Sequence, residues 1–144
     1  MVEKRIVIGS DHAGYDLKEK VKDHLEKIGY TVEDKGVHQA ERTDYPRYAH
    51  AVSERVLETA CLGVLICGSG NGVCMTANKH KGIRAALVWT EELAMLARAH
   101  NNANILCLPA RFIREEDAYD MMDSFLQTSF EGGRHEQRVA AING

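Results

Sequence analysis

Five short strand-like segments alternate with amphipathic stretches along this chain, and this alternation limits its fold more than any other feature of the sequence. The segments are residues 5–9, 30–34, 63–67, 84–88 and 104–108, and most of them are almost continuously apolar. Apolar strands of this kind are typical of a parallel sheet that helices cover on both faces. The order of the segments therefore predicts an α/β fold with a five-stranded parallel sheet.

The stretches between the segments carry apolar residues at helical spacing. Gly29 is predicted to end the first helix, and Pro46 suits the first turn of the second. No repeat or linker interrupts the pattern, so we expect a single domain over residues 1–144. The helical stripes are Leu17, Val21, Leu25 and Ile28; Ala49, Val52 and Val56; Leu93, Leu96, Ala97 and His100; and Ala118, Met121, Met122, Phe125 and Leu126.

Composition excludes several classes of function. A net charge of -3 and a pI near 6.2 argue against a dedicated nucleic-acid binder. No apolar run is long enough to span a bilayer, and the N-terminus lacks the pattern of a signal peptide. The four cysteines form no Cys-x-x-Cys pair, so we expect reduced thiols and a cytoplasmic location.

Ligands of parallel α/β sheets bind at the carboxyl ends of the strands, so the residues that follow each strand are the candidates for a site. Cys67 ends the third segment and opens a glycine-rich turn toward a helix, a position that favours the thiolate form. The loop amides could hold a phosphate or an oxyanion. The spacing of the glycines in this loop matches neither a dinucleotide-binding fingerprint nor a P-loop. The loop residues are Gly68, Ser69, Gly70, Asn71 and Gly72.

Two further groups of polar residues could carry chemistry. Asp11 and His12 follow the first strand, where they could move protons on sugar hydroxyls, although Asp11 could simply cap the first helix. Arg134 and Arg138 lie four residues apart, with His135 between them, and predict an anion site at the start of a helix; the alternative is a solvated terminal helix. No paired histidine spacing indicates a metal site, so we expect none, and no cofactor.

Seven motifs together resemble the ribose/galactose sugar-phosphate isomerase family, in particular ribose-5-phosphate isomerases of type B. The resemblance covers almost the whole chain in order. The matching stretches are Ser10-Asp-His-Ala-Gly14, Arg42-Thr-Asp-Tyr-Pro46, Leu65-Ile-Cys-Gly-Ser-Gly70, Ala77-Asn-Lys79, Gly82-Ile-Arg-Ala85, His100-Asn-Asn-Ala-Asn104, and Glu131-Gly-Gly-Arg-His135 with Arg138.

The resemblance implies a Rossmann-like three-layer α/β/α sandwich and an enzyme that interconverts ribose 5-phosphate and ribulose 5-phosphate. It implies a homodimer or a dimer of dimers with shared active sites, in which residues 130–144 pack on the partner subunit and several phosphate contacts reach across from it. Cys67 matches the catalytic base and Ser69 a hydroxyl position of the same loop. Asp11 and His100 match ring-opening positions. The substrate contacts are matched by His12, Tyr45, Asn101, Arg111, Arg134, His135 and Arg138.

Two other interpretations remain open at this point. The substrate could be a six-carbon sugar phosphate, such as allose 6-phosphate or galactose 6-phosphate. Alternatively, the chain could be a flavodoxin-like module that binds FMN or a nucleotide through the glycine loop and leaves Cys67 idle. All three interpretations involve a small molecule that carries a phosphate, and none involves contact with nucleic acid or a membrane.

Overall fold

The computed structural model describes residues 4–144, in which five strands alternate with helices. Each predicted strand is present, with its ends shifted by at most one residue. The strands are β1 (Arg5–Ser10), β2 (Thr31–Asp34), β3 (Leu62–Cys67), β4 (Ala85–Leu87) and β5 (Ile105–Pro109). The α-helices are α1 (Tyr15–Lys27), α2 (Tyr45–Thr59), α3 (Asn71–Ala77), α4 (Glu91–Ala99), α5 (Glu115–Gln127) and α6 (His135–Ala141).

The strands form one sheet in the order β2-β1-β3-β5-β4, and all neighbouring strands are parallel. This arrangement confirms the predicted five-stranded parallel sheet. The chain leaves β1 toward β2 on one side and then places β3 on the other side of β1. The carboxyl ends of β1 and β3 are therefore the point at which the strand order reverses, where ligands of such sheets bind.

Helices cover both faces of the sheet, which confirms the predicted three-layer sandwich. Side chains alternate between the faces along each strand. Ile66 of β3 packs toward α1, α4 and α5, whereas Leu65 and Cys67 pack toward α2 and α3. Because Cys67 is the last residue of its strand, its side chain lies at the carboxyl edge, on the side of the glycine loop and α3. No helix among residues 4–144 is long and apolar enough to cross a membrane.

The short edge strand β4 is completed by a side chain rather than by a sixth strand. The Asn78 Nδ2 amide donates to the carbonyl oxygen of Ala85 at 3.0 Å, and the Ala85 N–H donates to Asn78 Oδ1 at 2.8 Å. Both outward-facing backbone groups of Ala85 are thus paired by one amide. The strand is shorter than the predicted residues 84–88 and only partly buried.

A buried ion pair fixes the loop that follows β2. The Lys18 side chain is fully buried, and its Nζ donates to Asp34 Oδ2 at 2.6 Å. Asp34 Oδ1 accepts the Gly36 N–H at 2.8 Å, and the Gly36 carbonyl accepts the N–H of Ser10 at 2.8 Å. Burial alone would raise the pKa of Asp34, but the hydrogen bonds from Lys18 and Gly36 lower it below its ordinary value. The pair therefore stabilises the end of β1.

The variant Asp34→Asn is expected to lose unfolding free energy at pH 7, at most about 3–5 kcal/mol, because the buried Lys18 ammonium then keeps only the partly exposed Glu19 carboxylate as a counter-charge. The loss should appear in urea denaturation followed by circular dichroism, with an unchanged m-value. The matched control is Asp23→Asn, which removes an exposed partner of Lys27 and should change the midpoint far less.

The stabilisation should also depend on pH. Asp34 has a lowered pKa in the folded chain, so its contribution is present above its unfolded pKa of about 3.9 and is lost as the pH falls through the lower folded value. Asp34→Asn should lack this part of the acid dependence. Equal acid dependence in the wild type and in Asp34→Asn would contradict the assignment.

Candidate active site

A cleft of about 510 Å³ opens at the carboxyl edge of the sheet, where β1 and β3 end. It brings together a thiol, a carboxylate, an imidazole, a phenol and a guanidinium from four separate stretches of the chain. Its lining residues are Asp11, His12, Ala13, Tyr45, Cys67, Gly68, Ser69, Gly72, Arg111 and Phe112. Eight of these were expected from the sequence.

Cys67 lies in the cleft with only 5% of its surface exposed. Backbone hydrogen bonds hold the strand end against the turn after β5: the Ala110 N–H donates to the Cys67 carbonyl at 2.9 Å, and the Arg111 N–H donates to the Gly68 carbonyl at 3.0 Å. The Ser69 hydroxyl oxygen accepts the N–H of Asn71 at 3.3 Å. The thiol thus sits on a rigid strand end beside a loop that is ordered by its own hydrogen bonds.

Asp11 and His12 enter the cleft from the end of β1. The Asp11 carboxylate is buried, and its Oδ1 accepts the N–H of Gly14 at 3.1 Å, so it caps the short 3-10 turn before α1. Asp11 therefore does cap the helical turn, as one of the two interpretations predicted, and its carboxylate also lines the cleft. His12 Nδ1 lies 3.1 Å from both the N–H and the carbonyl oxygen of Thr43, which leaves Nε2 as the ring nitrogen outside this contact.

Two glycines make room for the larger side chains of the cleft. A Cβ atom on Gly68 would lie 3.0 Å from Nη1 of Arg111, and one on Gly72 would lie 2.5 Å from Cε1 and Cζ of Tyr45. The guanidinium and the phenol ring therefore rest directly on the glycine loop. This contact explains why the loop needs glycine at these two positions, which sequence spacing alone could not show.

A second cluster of predicted residues lines a separate cavity of about 320 Å³. Its walls include His100, Asn101, His135 and Arg138. The His100 and His135 rings stack with centroids 4.3 Å apart and an interplanar angle of 15°. Burial lowers the pKa of His135 below its ordinary value; His100 and Arg134 lower it further, while Glu131 acts in the opposite direction.

The two clusters lie at opposite edges of the sheet. His100 ends α4 and Asn104 immediately precedes β5, and the Asn104 carbonyl accepts the N–H of Gly63 at the start of β3. Cys67 is at the other end of β3. A six-residue strand has a length of roughly 17–20 Å. The structure therefore does not bring His100, Asn101, His135 or Arg138 to the thiol of the same chain.

Three expected site residues line neither cavity. Gly70 has φ +78°, and a Cβ there would meet Leu87 Cδ1, so this glycine serves the turn into α3. Asn71 is the first residue of α3, exposed, with its N–H bonded to Ser69. Arg134 is exposed and lies just before α6. Their predicted substrate contacts stay predictions.

Three residues at these sites were not among the predicted site residues, although Thr43 and Glu131 lie in two of the matching motifs. Phe112 borders the cleft and its ring lies 5.4 Å from that of Trp89. The Thr43 backbone holds His12. Glu131 carries its carboxylate to His100 and His135, at 3.6 Å and 3.8 Å from their Nε2 atoms. Only the Glu131–His135 spacing of four residues was visible in the sequence.

Comparison with known proteins decides the family. The family model described as Ribose/Galactose Isomerase matches residues 6–142. The chain belongs to this family. It is 44% identical over 140 residues to ribose-5-phosphate isomerase B of Escherichia coli, covering 96% of this chain and 94% of that protein.

Solved structures show the same fold. A ribose 5-phosphate isomerase of Thermotoga maritima superposes with a TM-score of 0.96 at 48% identity, covering 99% of both chains. Ribose-5-phosphate isomerase B of Mycoplasma genitalium, solved with bound ribulose-5-phosphate, superposes with a TM-score of 0.93 at 45% identity, covering 96% of this chain and 93% of that one.

The variant Gly72→Ala is expected to raise the KM for ribose 5-phosphate without unfolding the chain. The new methyl group occupies the position of the Tyr45 ring, and this half-exposed ring can turn out of the cleft. The helix itself should tolerate the change, since alanine is favoured over glycine in helices by about 1 kcal/mol. Steady-state kinetics and a thermal melt measure the two effects.

A double-mutant cycle provides the control for this prediction. In a Tyr45→Ala background, adding Gly72→Ala should have little further effect, because the ring that it displaces is already gone. Independent, additive losses from the two substitutions would show that Gly72 acts on something other than Tyr45.

Proposed function

We propose that this chain is an aldose–ketose isomerase that interconverts ribose 5-phosphate and ribulose 5-phosphate, with Cys67 as the base. The observation that carries the proposal is the position of Cys67, which lines the cleft at the point where the strand order reverses, beside Asp11 and a glycine-rich loop. The family match and the relatives that bear this activity in their names support the same reaction.

The reaction moves one proton between neighbouring carbons. The Cys67 thiolate takes the proton from C2 of the open-chain aldose and becomes a thiol, and it then returns the proton at C1, so that the thiolate is regenerated in each turnover. The electron pair left at C2 forms an enediolate, whose negative oxygen needs preorganised donors. The amides of Ser69 and Gly70 donate to no acceptor within residues 4–144, so they are available for that oxygen.

The remaining cleft residues divide the other tasks. Ser69 lies on the loop next to the base, where its hydroxyl can pass a proton between O1 and O2. Asp11 offers a buried carboxylate for opening the sugar ring. His12 and Arg111 supply donors for the sugar phosphate at the same edge, and the guanidinium over Gly68 suits a phosphate contact.

We also propose that each active site is completed by a second copy of the chain. His100, Asn101, His135 and Arg138 form a basic, imidazole-rich cavity that is about one strand length from Cys67 of the same chain. Two copies related by a two-fold axis could bring this cavity of one chain to the cleft of the other. Ring opening by His100 then occurs in the partner's site.

The C-terminal segment fits this arrangement. Most of residues 130–144 are exposed, and Ile142 keeps 54% of its surface exposed. The segment is nonetheless anchored to its own chain, through the Glu131 N–H bonded to the Ala99 carbonyl and the Gly82 N–H bonded to Asn143 Oδ1. We infer that this anchoring presents α6 to the partner subunit, as a homodimer or a dimer of dimers.

A thiol base also implies where the protein works. All four cysteines are free, and Cys67 must stay reduced to take up a proton. We therefore propose a reducing compartment, the cytoplasm.

Turnover of ribose 5-phosphate, allose 6-phosphate and galactose 6-phosphate by the pure protein would separate the five-carbon substrate from the six-carbon alternatives.

The variant Cys67→Ala is expected to lower kcat by at least about 10²–10⁴-fold while leaving the melting temperature nearly unchanged, because it removes the proton carrier and little volume. A coupled assay that detects ribulose 5-phosphate measures the loss. The matched control Cys61→Ala, at a partly buried cysteine outside the cleft, should keep wild-type turnover. Near-full activity of Cys67→Ala would show that another group is the base.

Subunit complementation tests the shared site. Cys67→Ala and Arg138→Ala should each be nearly inactive, and mixing them with subunit exchange should restore about a quarter of wild-type activity. Half of the dimers are then mixed, and one of the two sites in each mixed dimer is intact. A tag on one variant confirms that exchange has occurred.

The matched control pairs Cys67→Ala with Arg111→Ala. These residues line the same cleft of one chain, so every site of a mixed dimer carries one defect and no activity should return. Failure of the first pair to recover, with exchange confirmed, would place each active site within a single chain.

A further inference from the structure

A histidine at the end of α4 meets a glutamate and a histidine of the C-terminal segment at the amino edge of the sheet. The ligand atoms of His100, Glu131 and His135 all lie within 4.8 Å of one another. Glu131 bridges the two rings, with Oε2 3.6 Å from Nε2 of His100 and Oε1 3.8 Å from Nε2 of His135. Both distances are too long for hydrogen bonds, so the three groups converge without satisfying one another.

The buried His135 ring has a nitrogen without a hydrogen-bond partner among the described residues. His135 has 7% of its surface exposed, and its Nε2 is buried without a hydrogen-bond partner among the described residues. Leaving a buried polar atom without a hydrogen-bond partner destabilises the folded chain, so this nitrogen is a ready ligand for an ion.

The three groups can hold one metal ion after the His100 ring turns out of its stack with His135, because the lone pairs of parallel rings do not converge. The His100 side chain is 36% exposed, so its ring has room to turn. Zn²⁺ binds imidazole nitrogen and carboxylate oxygen at about 2.0–2.2 Å in tetrahedral geometry, which sets neighbouring ligand atoms roughly 3.4 Å apart. The two measured separations of 3.6 Å and 3.8 Å exceed this value only slightly. Glu131 is more than half exposed, so its carboxylate can move inward without disturbing the core.

We propose that His100, Glu131 and His135 form a binding site for Zn²⁺, with two imidazoles and one carboxylate as ligands and the fourth position open to water. Two nitrogen ligands and one oxygen ligand favour such a borderline ion over Mg²⁺ or Ca²⁺, which prefer oxygen ligands alone. The site lies at the opposite sheet edge from Cys67 of the same chain.

The site has a regulatory consequence that rests on the proposed function. If His100 and His135 serve the partner's active site, then an ion that occupies both imidazoles withdraws them from the sugar phosphate. Zn²⁺ should then inhibit competitively with ribose 5-phosphate, and the protein freed of metal by EDTA should have full activity. The ion is thus an inhibitor and has no part in the reaction.

Calorimetric titration of the EDTA-treated protein with Zn²⁺ tests the site directly. Wild type should bind one ion per chain at this site, and Glu131→Gln should weaken that binding at least about tenfold. Removing a group that only orients a metal ligand already has an effect of this size, so removing a ligand should have at least the same effect. The matched control is Glu136→Gln, which removes the same charge from the exposed first turn of α6 and should leave the affinity unchanged.

Two other groups could capture zinc, and the design separates them. Binding to Cys67 would show thiolate charge-transfer absorption with Co²⁺, whereas the proposed site has no sulfur ligand. Binding to the exposed pair His50 and His80, whose nitrogens lie 2.6 Å apart, would be insensitive to Glu131→Gln. Equal zinc affinity of the wild type, Glu131→Gln and Glu136→Gln, or no binding at all, would overturn the proposal.

The test of the site is independent of the test of the reaction. If the protein binds zinc through Glu131 but does not isomerise ribose 5-phosphate in the absence of metal, the zinc site is supported and the proposed function is contradicted. A protein that isomerises the sugar and shows the same zinc inhibition in the wild type and in Glu131→Gln keeps the function and loses the site.

Discussion

The parallel pairing of β1 with β3 is the contact on which the site depends. The register places Ser10 beside Ile66, so Asp11 and Cys67 are each the next residue along neighbouring strands. The turn after β1 stays close to β3, since the Asp11 N–H donates to the Ile66 carbonyl at 3.3 Å. A Cβ on Gly14 would lie 2.6 Å from that carbonyl oxygen, so only glycine permits this approach. The Asp11 carboxylate and the Cys67 thiol line the same cleft because the backbones of β1 and β3 are paired up to these residues.

The sequence was sufficient to predict the sheet, its layers and the cleft, because each depends on local pattern and on one topological rule. Apolar runs such as residues 63–67 can only be buried from both faces, which requires parallel strands between helices. The carboxyl ends then share an edge, so Asp11, Cys67 and Arg111 could be grouped before their positions were known. Their catalytic and binding roles remain predictions.

The grouping of the other predicted residues depended on geometry that pattern does not contain. His100 ends a helix that runs back across the sheet, so it lies at the amino edge although it belongs to the same family motif set as Cys67. Glu131 reaches it only because α5 returns the chain to that edge, and its N–H bonds to the Ala99 carbonyl. The resemblance already implied that the C-terminal residues serve the partner's site, but motif matching did not indicate that His100 and Asn101 would lie in the same cavity as His135 and Arg138.

The side chain of Asn78 has a consequence for the behaviour of the molecule in a crowded solution. β4 is the edge of the sheet, and an edge strand with unpaired backbone groups is a template for pairing with another chain. The Asn78 amide occupies the outward N–H and carbonyl of Ala85, in the way that a neighbouring strand would. Because the strand has only three residues, little unpaired backbone remains on which another chain could add a strand. One amide thereby hinders the addition of a further strand at the β4 edge, one of the two edges of the sheet.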